Sequence, residues 1–218
     1  MISPDAPREP QLVAILRGIT PDRVVDIADV LYKAGIRTIE IPLNSPDPYT
    51  SIRALAAVGH DDWLIGAGTV LTVEDVKSTG QAGGRLIVAP NCDADVIRAG
   101  LALDMRVLPG IATATEAFRA LRAGARELKL FPAVTYGPRH LSALGAVLPA
   151  TTRVFPVGGI GAADISAWLS AGAAGFGFGS ELFHPSYSRA EIERRASQLV
   201  RALREAVQSA LSTPATRG

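Results

Sequence analysis

The chain has 218 residues, of which 48% are hydrophobic and 20% are charged, as expected of one globular domain with a full core rather than of a disordered chain. Its 22 basic and 21 acidic residues give a net charge of +1 and are spread along the sequence. No basic stripe of the kind that nucleic-acid binding requires is present, so nucleic acid is not expected as a partner.

The first segment, residues 1–10, contains three prolines together with Asp5, Arg8 and Glu9. It has neither the apolar centre of a signal peptide nor the pattern of a transit helix, and no later apolar run reaches membrane-spanning length. We therefore expect a cytoplasmic protein with no membrane partner, in which residues 1–10 form an N-terminal extension.

The cysteine and histidine residues do not indicate a metal centre. Cys92 is the only cysteine, so no internal disulfide can form. His60, His140 and His184 have neither paired spacing nor a cysteine partner. We expect no metal.

A repeated pattern organises the chain: a helical segment ends in Ala-Gly, and an apolar run begins a few residues later. Glycine past the last helical turn can adopt the left-handed conformation that closes a helix, and proline stops a strand. The pattern therefore predicts alternating helices and strands. The Ala-Gly pairs are at 34–35, 82–83, 99–100, 123–124 and 171–172.

Eight strands are predicted in chain order, and each is followed by ten or more residues of helical pattern. Eight such units in a chain of this length predict a single-domain α/β fold, a (β/α)8 TIM barrel over residues 11–211, with a small polar tail at 212–218 that we expect to be disordered. The strands are at 12–16, 38–42, 64–67, 86–90, 105–109, 127–132, 153–157 and 175–179.

The rival architecture is a doubly wound open sheet, which counting strands does not exclude. It is disfavoured because the first predicted βα turn, RGITP at 17–21, lacks the glycine fingerprint of a dinucleotide site.

Polar residues lie at the carboxyl ends of the predicted strands, where the chemistry of such barrels gathers. Strand one ends at Arg17, strand two contains Glu40, strand three runs into Thr69, and strand six contains Lys129. Glycine-rich turns follow strands seven and eight, where this fold usually binds phosphate. These turns contain Gly158, Gly159, Gly179 and Ser180.

Lys129 indicates carbonyl chemistry, because an amine can form an imine with a ketone once desolvation has lowered its pKa from roughly 10.4. The alternative is a snorkelling lysine at a strand end. Glu40 lies between Ile39 and Ile41, so it should point into the barrel, where an unpaired charge is costly. An ionised Glu40 would raise the lysine pKa, and we expect desolvation and Arg17 to offset this effect.

Two of these residues have ordinary structural alternatives. Arg17 could form a surface ion pair. Thr69 could be a helix N-cap, although Thr72 with Asp75 three residues later is better placed for that task.

The strand ends together resemble the motifs of the class I 2-keto-3-deoxy-6-phosphogluconate and 6-phosphogalactonate aldolases. The resemblance covers about residues 12–203 in the same order. The motifs are AILRG at 14–18, IEIPLNS at 39–45, IGAGTV at 65–70, LKLFP at 128–132 and VGGI at 157–160.

The resemblance implies a homotrimeric barrel that cleaves a phosphorylated six-carbon keto acid to pyruvate and glyceraldehyde 3-phosphate, without a metal or cofactor. Lys129 matches the Schiff-base lysine, Glu40 the carboxylate that shuttles protons, and Thr69 a contact to the pyruvate end. The other substrate-binding residues are Arg17, Pro90, Phe131 and Val157. The phosphate-binding residues are Gly158, Gly159, Gly179 and Ser180.

Three positions favour the phosphogalactonate branch. Asn44 stands where the phosphogluconate enzymes typically have an arginine for the substrate carboxylate, and Arg17 can take over that task. Val157 stands where the gluconate enzymes tend to have threonine.

Other functions stay open at this point. They are a phosphogluconate aldolase, a phosphate-binding barrel isomerase or synthase, a non-catalytic sugar-phosphate binder, and a purely structural oligomer.

Overall fold

The apolar runs form strands and the segments between them form helices in the computed structural model, which describes residues 10–212. The strands are β1 (Gln11–Ile15), β2 (Thr38–Pro42), β3 (Leu64–Gly68), β4 (Leu86–Val88), β5 (Arg106–Leu108), β6 (Gly110–Ile111), β7 (Glu127–Leu130), β8 (Arg153–Pro156) and β9 (Gly175–Phe178). The helices are α1 (Pro21–Ala34), α2 (Pro48–Val58), α3 (Val73–Gln81), α4 (Ala94–Ala102), α5 (Ala114–Arg122), α6 (Ala133–Gly145), α7 (Ile165–Ser170) and α8 (Arg189–Ser212).

The strands close into a parallel barrel. One sheet has the order β5-β4-β3-β2-β1-β9 and a second has the order β6-β7-β8. The chain passes directly from β5 to β6 through Pro109, and Val157, just after β8, bridges to Gly177 of β9. The ring is therefore complete, which confirms the (β/α)8 barrel and shows that the alternative of an open, doubly wound sheet is wrong.

The predicted fifth strand is interrupted by Pro109. Proline has no N–H to donate to the ladder, so β5 stops at Leu108 and the strand resumes as β6. The Pro109 carbonyl still accepts a hydrogen bond from the Lys129 amide at 2.8 Å. The interruption therefore leaves β7 paired in the barrel.

One predicted helix stop is wrong. Gly100 lies inside α4, which continues to Ala102. A Cβ on Gly100 would come within 2.7 Å of the Val107 side chain, so this glycine allows α4 to pack closely on β5. By contrast, Gly35 does close α1, in the left-handed conformation with φ of 106°.

Several helices are shorter than the predicted ten residues. Helices α3, α4 and α5 have nine residues each, and α7 has six after a 3₁₀ turn at Ala162–Asp164. A capping box begins α3, in which the Thr72 side chain accepts from the Asp75 amide and the Asp75 carboxylate accepts from the Thr72 amide. Thr72 is therefore the N-cap.

The core has two layers because side chains alternate between the two faces of each strand. The outer layer packs the strands against the helices and contains most of the buried apolar residues. A smaller inner cluster consists of Val13, Leu86, Val88, Leu108 and Phe155. On these strands, the inward-facing residue two positions after the last member of the inner cluster lies at the carboxyl end of the barrel.

Within residues 10–212, no helix is both long and apolar enough to cross a bilayer. The predicted N-terminal extension and C-terminal tail lie outside the described residues, except for Pro10 and Ser212, which is the last residue of α8.

Candidate active site

A cavity of about 340 Å³ opens at the carboxyl ends of the barrel strands. Every predicted site residue except Glu40 lines it, so the structure brings together residues at or just after the ends of six strands. They are Arg17, Thr69, Pro90, Lys129, Phe131, Val157, Gly158, Gly159, Gly179 and Ser180. Glu40 lies on β2, whose partner β3 leads to Thr69.

The cavity also contains Ile15, Ile160, Gly177 and Glu181, which the sequence interpretation missed. Ile15 and Gly177 precede Arg17 and Gly179 by two residues, so the alternation of a strand could have identified them. Ile160 is the last residue of the VGGI motif at 157–160, which could have indicated it, whereas no sequence signal marks Glu181.

Lys129 is a buried amine. The alternation of β7 directs Leu128 and Leu130 into the outer core and leaves Lys129 on the inner face, only 5% exposed. The other two lysines of the chain, Lys33 and Lys77, are exposed and form ion pairs with helical carboxylates. The interpretation of Lys129 as a snorkelling surface lysine is therefore wrong.

Burial is the main cause that lowers the pKa of Lys129 from its ordinary value. The Glu40 carboxylate acts in the opposite direction, and the Arg17 guanidinium lowers the pKa further. The expected offset of Glu40 by desolvation and Arg17 is thus confirmed in direction. A larger fraction of neutral amine, the form that attacks a carbonyl, follows.

Glu40 is 1% exposed, and its Oε2 atom has no hydrogen-bond partner among the described residues. Burial raises its pKa to about 7, against the opposing effects of Lys129 and Arg17. The Glu40 carboxylate has space on this face because the residue of β3 beside it is Gly68. A side chain there would clash, since a Cβ would lie 1.6 Å from Glu40 Oε2. Such a group can take up and release a proton near neutral pH.

Arg17 follows β1 and extends its guanidinium over the cavity. Its Nη2 donates to Thr69 Oγ1 at 3.3 Å, and its Nη1 donates to Asn44 Oδ1. Among the described residues it forms no ion pair, so the alternative of a surface ion pair is wrong. Its charge is available to an anionic ligand.

Thr69 has φ of 56°, in the left-handed region that β-branched residues rarely adopt. Strained backbone of this kind costs roughly 1–3 kcal/mol and is concentrated at functional sites. The conformation turns the chain between Gly68 and Val70 so that the threonine hydroxyl reaches Arg17.

The opposite end of the cavity is built from glycines. Gly158 and Gly159 have φ of 97° and 70°, and a Cβ on Gly159 would lie 2.7 Å from Val134. Around Gly179, by contrast, a Cβ would meet no atom within 4 Å. At these three glycines no side chain covers the backbone, which suits the binding of a phosphate group by backbone amides.

Val157 also lines the cavity and is 6% exposed. It packs closely on Gly177, where a Cβ would lie 2.7 Å from Val157 Cγ2. Val157 therefore gives the cavity that contains Arg17 and the glycine turns an apolar surface.

Residues 10–212 contain no group of three or more His, Cys, Asp or Glu side chains placed to hold a metal ion. The arrangement combines a buried amine, a carboxyl group that titrates near neutrality, a guanidinium and a glycine cradle.

Comparisons with known proteins point to one enzyme family. A family model described as KDPG and KHG aldolase matches residues 5–198. The chain is 47% identical to the 2-dehydro-3-deoxy-6-phosphogalactonate aldolase of Escherichia coli K12, over 90% of this chain and 96% of the relative. It is 37% identical to a 2-dehydro-3-deoxy-phosphogluconate aldolase of Pseudomonas aeruginosa, over 72% of each chain.

Among solved structures, one titled "Native KDPGal structure" superposes with a TM-score of 0.89 at 47% identity, covering 90% of this chain and 96% of the other.

Proposed function

The chain belongs to the KDPG and KHG aldolase family, and on that premise we propose that it cleaves 2-dehydro-3-deoxy-6-phosphogalactonate to pyruvate and D-glyceraldehyde 3-phosphate. It is an aldolase, and therefore a carbon–carbon lyase. The observation that carries the proposal is the buried Lys129 amine, which lines one cavity with Arg17 and the glycine turns and interacts electrostatically with the buried Glu40 carboxyl.

The proposed reaction is of the class I type, through a Schiff base. The neutral Lys129 amine attacks the C2 carbonyl, and uptake of one proton from solvent with loss of water gives a protonated imine. As the C3–C4 bond breaks, its electron pair moves into the imine to form an enamine. The proton of the C4 hydroxyl passes to Glu40, directly or through water.

The second half of the reaction reverses these transfers. Glyceraldehyde 3-phosphate leaves, and Glu40 returns a proton to C3 of the enamine. Water then hydrolyses the protonated imine and releases pyruvate, the neutral Lys129 amine and the proton that was taken up when the imine formed. A carboxyl pKa of about 7 suits a group that must both accept and donate a proton.

Binding at the two ends of the substrate orients it for this chemistry. Arg17 can hold the carboxylate with two parallel N–H donors, and the glycine turns can hold the phosphate. Since these contacts are remote from the bond that breaks, their binding energy fixes the C2 carbonyl next to Lys129. Thr69, Pro90 and Phe131 complete the pyruvate end.

The galactonate form is favoured by Asn44, Val157 and the greater similarity to a relative of that name. The two sugar acids differ in configuration at C4, and an apolar wall discriminates between them only modestly, by roughly 1–3 kcal/mol. Pyruvate release from the two C4 epimers, measured side by side, tests this assignment. A higher kcat/KM for the galactonate form is expected, and an equal or reversed preference would contradict it.

We also propose that the protein is a homotrimer. Large apolar side chains of the described chain are exposed, including Val134 at 64% and Val147 at 57%, as expected of surfaces that bury area between subunits.

Independence from metal ions is a further part of the proposal, because the protonated imine is itself the electron sink. Full activity after dialysis against a chelator is the expected result. The cytoplasmic location stays a prediction.

A further inference from the structure

We propose that Asn44 is a positioning residue that holds the Arg17 guanidinium in the orientation needed for the substrate carboxylate. The inference rests on the proposed function of the same cavity and assigns a role to a residue outside its lining.

The orientation of Arg17 needs support because the side chain is exposed and its long stem can adopt many rotamers. Two acceptors contact two different nitrogens of its guanidinium. Asn44 Oδ1 accepts from Nη1, and Thr69 Oγ1 accepts from Nη2 at 3.3 Å. Two contacts on a planar group fix both its position and the direction of its plane.

The backbone joins the same two loops. Ser45, which is 7% exposed, accepts a hydrogen bond from the Gly18 amide through its Oγ at 2.9 Å. Two successive residues therefore contact two successive residues. The Asn44 side chain contacts the Arg17 side chain, and the Ser45 side chain contacts the Gly18 backbone. Because Ser45 fixes the distance between the loops, Asn44 lies within reach of the guanidinium.

The residue type matches this task. A guanidinium has five N–H groups, and Asn44 and Thr69 use two of them, so three stay available to a carboxylate. An amide oxygen accepts a hydrogen bond without neutralising the arginine charge. An aspartate at this position would form an ion pair with Arg17 and compete with the substrate for it.

The test measures KM and kcat for the phosphogalactonate substrate, together with the binding constant for pyruvate, in Asn44→Ala and Asn44→Asp. We expect KM to rise roughly tenfold in Asn44→Ala, the usual effect of one hydrogen bond to a charged group, while kcat changes by less than about threefold. Asn44→Asp should raise KM further, and added salt should reduce that difference.

The control is Asp47→Asn, an exposed change in the same loop that tolerates asparagine because residue 47 has φ of 41°. Its kinetic constants should equal those of the parent. Thermal unfolding midpoints should be unchanged in all three variants, since a loss of stability would indicate a purely structural role.

The outcomes separate the two claims. An active parent whose KM and pyruvate affinity are unchanged in Asn44→Ala would overturn the role of Asn44 alone, as would equal losses in kcat and stability. A parent that neither turns over the substrate nor binds pyruvate would overturn the proposed function and this inference together.

Discussion

Lys129 and Glu40 perturb each other less than burial perturbs both. Desolvation disfavours the charged form of each group, which lowers the pKa of the amine and raises that of the carboxyl. Their mutual attraction opposes both shifts but is the smaller effect. The pair is thus held closer to neutrality than two separate surface groups would be, which favours an amine that attacks and a carboxyl that exchanges protons.

The first prediction concerns pH. Because Glu40 must be ionised to accept the hydroxyl proton and has a pKa of about 7, kcat/KM should fall as the pH drops below about 7. Deprotonation of Lys129, which also increases with pH, should change kcat/KM in the same direction. Glu40→Gln should lose the part of this dependence that Glu40 causes, while the part due to Lys129 remains, and should lower kcat roughly 10²- to 10⁴-fold. Steady-state kinetics from pH 5 to 9 check this, with Glu74→Gln, an exposed carboxylate, as the control.

The second prediction concerns stability. The folded-state pKa of Glu40 lies above its ordinary value of 4.5, so between pH 4.5 and about 7 the folded state binds a proton that the unfolded state has released. Stability contributed by this group therefore falls as pH rises through that window. Glu40→Gln should be more stable than the parent at pH 8 by up to about 3 kcal/mol, and similar at pH 5.

Urea unfolding of both proteins at the two pH values measures this difference. A variant that is less stable than the parent at pH 8 would mean that the Glu40 carboxylate is stabilised by its surroundings.

Single residues were predictable from sequence where the strand pattern constrained them. Glu40 between two isoleucines and Lys129 between two leucines could only point inward once the barrel was assumed. The contact of Asn44 with Arg17 could not be predicted, because it depends on how two loops approach each other. Glu181 has no periodic neighbour that indicates its place.

At the scale of elements, the strands were easier to predict than the ends of the helices. Ala-Gly pairs mark most helix ends, yet Gly100 serves close packing of α4 on β5 and leaves the helix intact. Composition does not distinguish a glycine that needs a left-handed φ from one that needs space. Likewise, Pro109 interrupts a strand without removing it from the barrel.

The third prediction concerns the glycine turns. A Cβ at Gly179 meets no atom within 4 Å, so Gly179→Ala should fold normally but place a methyl group where we propose the phosphate binds. We expect roughly a tenfold increase in KM for the phosphorylated substrate, the effect of losing about 1.4 kcal/mol of binding energy. The thermal midpoint and imine formation with pyruvate should be unchanged.

Gly159→Ala is the matched contrast, because its φ of 70° and the nearby Val134 should lower stability as well. Unaltered KM in Gly179→Ala would place the phosphate elsewhere.

At the scale of the molecule, the barrel was predictable because eight βα units must bury eight strands on both faces. Closure depends on details that no sequence count shows, including the Val157 bridge to Gly177. At the amino end of the barrel, Glu127 bonds Arg106 in a bidentate pair and also contacts Arg153 at 3.3 Å. This carboxylate therefore offsets part of the charge of two guanidiniums, at the end opposite the candidate active site.

The fourth prediction is the oligomeric state. Sedimentation velocity should show one species with three times the subunit mass of 22.8 kDa. A species of the subunit mass alone at micromolar concentration would contradict the trimer, and the exposed apolar side chains of the α6 region would then need another explanation.

The central claim is the imine at Lys129, and the most direct test is reduction with borohydride in the presence of pyruvate, followed by peptide mass mapping. The chain has only three lysines, and Lys33 and Lys77 are exposed internal controls. We predict a reduced pyruvate adduct on Lys129 alone, and none in Lys129→Met. An adduct on another side chain, or no adduct at saturating pyruvate, would contradict the account.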